Sequence, residues 1–229
     1  MQKIAAELRH RELTQEIYNI GDEVAEYIET VEAFDRQSLS PAELSAGDCA
    51  FGYRDSVFKR QPERWVITAV RFRLPRERAP RLDYAGVREE LAALGAGDTP
   101  RPSQIAEAIA RIRSRKLPDP LVQGNAGSFF KNPEIDEADA LALQAVHTGL
   151  PAWPAGTGRR KLSAAWLIEA CGLKGHREGD AGVSTQHALV LVNHGQASGA
   201  QILALALQVR DAVAQRFGVR LEPEPRILG

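Results

Sequence analysis

Cysteine is almost missing from this chain. Two residues, Cys49 and Cys171, stand far apart among 229, so no disulfide framework can be drawn, and a reducing cytoplasmic setting is expected. No run of about 18 apolar residues occurs, which excludes a membrane-spanning helix on the sequence pattern. The opening MQKIAAELRHREL is charged throughout and lacks the apolar core of a secretory signal. An excess of either charge is lacking too: 29 Lys and Arg face 30 Asp and Glu. That balance argues against nucleic-acid binding through bulk positive charge. His10, His147, His176, His187 and His194 never stand four apart on a helix and have no cysteine pair beside them, so no metal site is expected. There is no P-loop, no G-x-G-x-x-G, no G-x-S-x-G nucleophile elbow and no internal repeat.

What is present is ordinary for a folded domain: 44% apolar and 26% charged residues. The length suits one large domain or two small ones. The chain can bury roughly 70% of its unfolded surface without metal or disulfide help. Ile4–Leu13 reads as a helix. Tyr27–Phe34 carries helical spacing but strand-forming residues, and a strand is expected there. Arg64–Leu74 alternates as a strand that Pro75 ends, and residues 75–81 read as a connection. Ser103 caps a helix with Ile105, Ala108, Ile109 and Ile112 on one face, which must stop before Pro118. A domain boundary is expected there. Further helices are expected over 136–147, 163–171 and 201–217, and strands over 188–193 and 219–228. Helices and strands without regular alternation predict an α+β fold.

Three segments can carry chemistry. The first runs from Lys116 through Gly124-Asn-Ala-Gly-Ser128-Phe-Phe-Lys-Asn132-Pro133. Gly124 and Gly127 permit tight turns and close backbone approach to a ligand, while Phe129 and Phe130 can anchor Ser128 in a core. Lys116, Lys131 and Asn132 can bind an anion; a glycine-rich turn with a capping serine reads equally well. In Phe51-Gly-Tyr-Arg-Asp-Ser56, Tyr53 and Arg54 can reach a phosphate or carboxylate, although a plain exposed turn fits the same residues. In Glu222-Pro-Glu224-Pro-Arg226 the prolines exclude a central strand. A buried acid there would exchange protons near neutral pH, whereas an edge segment with solvated charges would not.

Taken in order, Asn19-Ile-Gly21, Phe51–Ser56, Lys116-Leu-Pro-Asp-Pro120, Gly124–Pro133, Lys161-Leu162, Trp166–Glu169, Gly172–Gly175, Ala188–Asn193 and Leu221–Arg226 resemble the UDP-N-acetylenolpyruvoylglucosamine reductase family, in its class with a substrate-covering tyrosine loop. The resemblance implies that NADPH reduces FAD and that the flavin passes hydride to C3 of the enolpyruvyl ether of UDP-N-acetylglucosamine, in cytoplasmic peptidoglycan precursor synthesis. Ser128 then matches the proton donor to C2, and Glu224 the glutamate acting at the substrate carboxylate. Tyr53, Lys116 and Asn132 match substrate-contacting positions, with Arg54 beside them, and His187 falls where relatives carry a polar residue near the substrate. The partner implied is a small UDP-sugar, with a monomer expected and neither nucleic acid nor membrane involved. Residues 1–117 with a C-terminal strand at 219–229 would be a partial FAD-binding domain, and 118–218 the substrate-binding domain. The family's glycine-rich phosphate loop has no counterpart before Asn19, so most of the FAD-binding half is expected to be missing. The alternative is a non-catalytic UDP-sugar-binding remnant without flavin. A serine hydrolase using Ser128 is a third reading, for which no histidine stands in a recognisable partner position.

Overall fold

The computed structural model describes residues 24–75, 80, 82 and 86–227, so the expected helix at Ile4–Leu13 and the Asn19-Ile-Gly21 segment lie outside the described residues. Two compact units divide the chain at Ile112/Arg113, within the last turns of one helix. Helices and antiparallel sheets make up both, which is the α+β class expected.

In the first unit β1 (Ile28–Asp35) lies between β2 (Ser40–Ser45) and β3 (Trp65–Phe72), antiparallel to both. Alternation in β1 decides its faces: Val31, Ala33 and Asp35 are buried while their neighbours are half-buried. Val31 and Ala33 pack with Leu44 and Cys49. The helical spacing in this segment therefore gave way to the strand propensity of its residues. A short α1 (Ala46–Cys49) follows β2 and α2 (Val57–Arg60) precedes β3, each capped by a serine, Ser45 and Ser56. Further on, α3 (Val87–Ala93) and α4 (Pro102–Lys116) bury Val87, Leu91, Ala108, Ile109 and Ile112 against one another.

Asp35, only 5% exposed, closes this sheet electrostatically. Arg64 donates from Nη2 to its Oδ2 at 2.7 Å and from Nε to both carboxylate oxygens. The Gln37 N–H adds a bond to Oδ1 at 2.9 Å, starting the turn into β2. The Arg64 guanidinium also lies 4.4 Å from the Trp65 ring centroid. Its hydrogen bonds hold the Asp35 carboxyl down at about 2, against the opposing effect of burial.

The second unit has two small antiparallel sheets. One is ordered β4 (Asn125–Ser128), β10 (Val190–Asn193), β9 (Ala181–Val183), β8 (Arg177–Glu178). The other is ordered β5 (Glu134–Asp136), β7 (Arg159–Leu162), β6 (Ala152–Pro154). Around them lie α5 (Glu137–Val146), α6 (Ala164–Ala170) and α7 (Gly199–Phe217). Leu205, Val209, Val213 and Phe217 recur every four residues on the buried stripe of α7. A capping box between Ser198 and Gln201 begins that helix, and Gly218 at φ 68° ends it. No described helix is long and apolar enough to cross a membrane.

The residues after α7 differ from expectation. They form an extended segment with one isolated bridge, Phe130 to Pro223, rather than a strand. Pro223 and Pro225 have no N–H to give to a ladder, which accounts for the difference. Val219 and Leu221 are buried in the same core as Phe129 and Phe130, within the second unit.

The Asp35–Arg64 pair gives a pH signature. A carboxylate with a lowered folded pKa stabilises above its unfolded value near 4, and that contribution disappears as pH falls to about 2. Urea midpoints of the wild type should therefore exceed those of Asp35→Asn at neutral pH, with the gap closing between about pH 4 and pH 2. A gap that persists undiminished at pH 2 would contradict this assignment.

Candidate functional site

Ser128 ends β4, which is an edge strand of its sheet. Residue 128 pairs with Val190 of β10, and the next N–H, that of Phe129, donates to the Leu189 carbonyl at 2.7 Å. Phe129 and Phe130 then turn into the core, their rings edge to face with centroids 5.1 Å apart. The anchoring expected of these two aromatics is what the fold contains. Ser128 is left half-buried, beside Gly127 at φ 70°. No other atom lies within 4 Å of where a Gly127 side chain would begin, so a ligand has room against that backbone.

The chain after Ser128 is clasped by the C-terminal segment. Glu224 N–H donates to the Phe129 carbonyl at 2.8 Å, and Lys131 N–H to the Glu222 carbonyl at 2.9 Å. Lys131 Nζ also meets Glu222 Oε2 at 3.4 Å. Ser128 and Glu224, nearly a hundred positions apart in sequence, are thereby held in neighbouring backbone positions. Glu224 is half-buried.

Asn132 is engaged in the frame: its Oδ1 accepts from Ala164 N–H, the first of α6, at 3.0 Å. Ser163 Oγ accepts from Trp166 N–H at 3.2 Å, so two side chains share the N-terminus of that helix. Lys116 is exposed at the end of α4. His187 lies in the turn between β9 and β10, where Ser184 Oγ accepts from Gln186 N–H and His187 N–H. Its Nδ1 accepts from Leu189 N–H at 3.3 Å, which assigns the proton of the neutral ring to Nε2. Burial lowers the His187 pKa; Lys174 and Lys116 act in the same direction and Glu169 opposes them. The structure thus brings Lys116, Lys174 and Glu169 into the electrostatic surroundings of a neutral, donating imidazole. Such a group suits an anionic ligand without itself carrying charge.

Tyr53 and Arg54 belong to the first unit. They form the tip of a turn whose ends, Gly52 and Asp55, exchange both backbone hydrogen bonds at 3.0 and 3.1 Å. Arg54 adopts a left-handed φ of 54°, which is costly for a side chain of its size. The neighbouring α2 holds the turn: Lys59 Nζ donates to the Arg54 carbonyl at 3.0 Å and Arg60 pairs with Asp55 at 3.3 Å. The Arg54 guanidinium carbon is 6.0 Å from the Tyr53 ring centroid.

Sequence reasoning passed over two residues of this region. Asn125 bonds three backbone groups of the Ser128 loop: Gly127 N–H, Pro118 O and Gln123 O. Its signal was the Asn-x-Gly spacing, since Asn commonly bonds a backbone N–H two positions on. His194 meets the Gln123 amide through Nδ1 at 3.1 Å, while Asn193 N–H donates to Gly124 O at 2.7 Å. Nothing local in the sequence marks His194. A cleft of about 310 Å³ opens beside Asn125 and Phe129, lined also by Leu191, Asn193, Ile202 and Ile227.

Comparison with known proteins gives this arrangement relatives. A family profile described as UDP-N-acetylenolpyruvoylglucosamine reductase, C-terminal domain, matches residues 119–228. The UDP-N-acetylenolpyruvoylglucosamine reductase of Xanthomonas euvesicatoria pv. vesicatoria (strain 85-10) is 57% identical over 216 residues, covering 94% of this chain and 61% of the relative. That of Xanthomonas oryzae pv. oryzae (strain KACC10331 / KXO85) is 57% identical over 218 residues, 63% of its own length. The chain therefore spans less than two thirds of these curated relatives. Among solved structures, UDP-N-acetylenolpyruvylglucosamine reductase from Thermus caldophilus superposes with a TM-score of 0.54 at 26% identity, covering 91% of this chain and 55% of that one.

The dual cap on α6 can be tested directly. Asn132→Ala should lower stability by about 1 kcal/mol, the usual cost of losing an N-terminal acceptor, whereas Asn132→Asp, which keeps that oxygen, should cost less. Urea denaturation of both variants measures the difference, and equal losses would remove the capping role.

Proposed function

We propose that this relative of the UDP-N-acetylenolpyruvoylglucosamine reductases acts in reducing the enolpyruvyl ether of UDP-N-acetylglucosamine to the muramate, in cytoplasmic peptidoglycan precursor synthesis. In this reading the second unit binds the UDP-sugar and the first carries part of a flavin domain. The observation that carries the proposal is the backbone clasp that holds Glu224 beside the Phe129 carbonyl, one residue from Ser128. The backbones of Ser128 and Glu224, from distant parts of the chain, come close together there, next to open space at Gly127.

When bound, FAD reduced by NADPH, the pair the resemblance implies, would supply hydride to C3 of the substrate. We assign none of the described residues to the flavin, since the donor set around Ser128 suits an anion and a carbon acid rather than an isoalloxazine ring. This chain's own share of the chemistry is protonation and anchoring. A hydride delivered to C3 would leave an electron pair at C2, delocalised into the neighbouring carboxylate, and C2 is the carbon to be protonated. Ser128 Oγ donates its proton to C2, forming the C–H bond, and Glu224 acts at the substrate carboxylate. Lys116 binds the diphosphate or carboxylate charge, with the His187 Nε2–H as a second donor. The resemblance gives Tyr53, with Arg54 beside it, the role of the covering loop, and Asn132 contributes through the loop it braces.

Two measurements check this. Calorimetric binding of UDP-N-acetylglucosamine derivatives should weaken by about 1.5–3 kcal/mol in Lys116→Ala if a charge-assisted bond is lost, and an unchanged affinity removes Lys116 from the site. Where the flavin is bound, Ser128→Ala should leave its reduction by NADPH intact and slow only the substrate half-reaction, by roughly 10²-fold or more. Equal slowing of both halves would rule Ser128 out as the proton donor. A colourless purified protein that still binds the nucleotide sugar would instead mark a UDP-sugar-binding module.

A further inference from the structure

We propose that Asn125 is the positioning residue of Ser128, locking the glycine hinge that otherwise lets the hydroxyl turn away. The proposal rests on the reading of Ser128 as the reacting group of the site. Its grounds are three bonds from one side chain. Oδ1 accepts from Gly127 N–H at 3.0 Å, while Nδ2 donates to Pro118 O at 3.1 Å and Gln123 O at 2.9 Å. One amide thereby joins the entry, the middle and the exit of the loop that delivers Ser128.

The bond to Gly127 matters most. Gly127 stands at φ 70° with open space where a side chain would be, so no side chain of its own restricts its rotation. Beyond it the chain is fixed, because Phe129 N–H is bonded to Leu189 O and Phe130 is buried. Ser128, opposite Val190 in the β4–β10 ladder, follows a glycine where that ladder shifts register, and the Asn125 carboxamide is the side chain that bonds this glycine's N–H. Gln123, tied by its own side chain to His194, and Gly124, tied to Asn193 N–H, keep the loop base against β10, so a change at Asn125 acts on the hinge rather than on the whole sheet.

The test needs no flavin. In the full chain carrying Ser128→Cys, the thiol at position 128 is alkylated with iodoacetamide and read by peptide mapping, with Cys49 and Cys171 as internal references. Adding Asn125→Ala should raise the alkylation rate at position 128 by about tenfold or more, because lost hydrogen bonds lower the cost of local opening. Rates at Cys49 and Cys171 should stay as they were. Asn125→Ser keeps an oxygen able to accept from Gly127 N–H and should restore most of the protection. An unchanged rate at position 128, a parallel rise at Cys171, or failure of the serine variant to rescue would each overturn the proposal. Saturating UDP-N-acetylglucosamine serves as the probe of the underlying reading. Shielding of position 128 supports both, whereas a thiol that responds to Asn125 but is not shielded keeps the lock and overturns the substrate assignment.

Discussion

The backbone of Phe129 is the constraint on which the candidate site depends. Its N–H is bonded to Leu189 in the β9–β10 region, and its carbonyl accepts from Glu224 in the segment after α7. One residue thus acts as the middle strand of a three-part alignment. Those two bonds fix where Ser128 stands relative to β10 and where Glu224 stands relative to Ser128. The rings of Phe129 and Phe130, buried beneath, make the alignment costly to leave, since exposing large aromatic side chains forfeits several kcal/mol of burial.

Polar side chains in the second unit serve this frame before they serve any ligand. Asn132 spends an oxygen on the start of α6, Asn193 caps its own turn by accepting from Gly195 and Ala197, and Ser184 orders the turn that presents His187. A loop rich in glycine has little steric rigidity, and these amide and hydroxyl bonds supply what side-chain bulk cannot. The Tyr53–Arg54 turn of the first unit follows the same logic. There Lys59 and Arg60 hold a left-handed residue in place from the adjoining helical turn.

Much of the fold was legible because local signals were strong. The glycine stop of α7, the proline limit on α4, the strand-forming residues of β1 and the alternation of β3 each follow from a few residues. The short strands β4 to β9 were not legible, since two to four residues carry no period and each is defined by the partner that supplies its hydrogen bonds. The C-terminal segment misled for a related reason. Its apolar residues fit a strand, yet Pro223 and Pro225 deny it a ladder, and only tertiary burial shows which unit it joins. Ser128 and Glu224 stood out through their motifs, whereas Asn125 and His194 act through backbone groups and ring contacts that spacing alone does not display.

The clasp on Phe129 and Lys131 also orders events in time. Lys131 and Glu222 are 91 residues apart, so translation delivers the Ser128 loop long before the segment that completes it. During that interval the loop has its β4 sequence but neither the β10 partner nor the Glu224 amide. The aromatic pair behind Ser128 must wait exposed or transiently covered while six further strands and three helices emerge. A site assembled from such remote pieces appears only as the second unit closes, and so its geometry reports complete folding rather than partial folding.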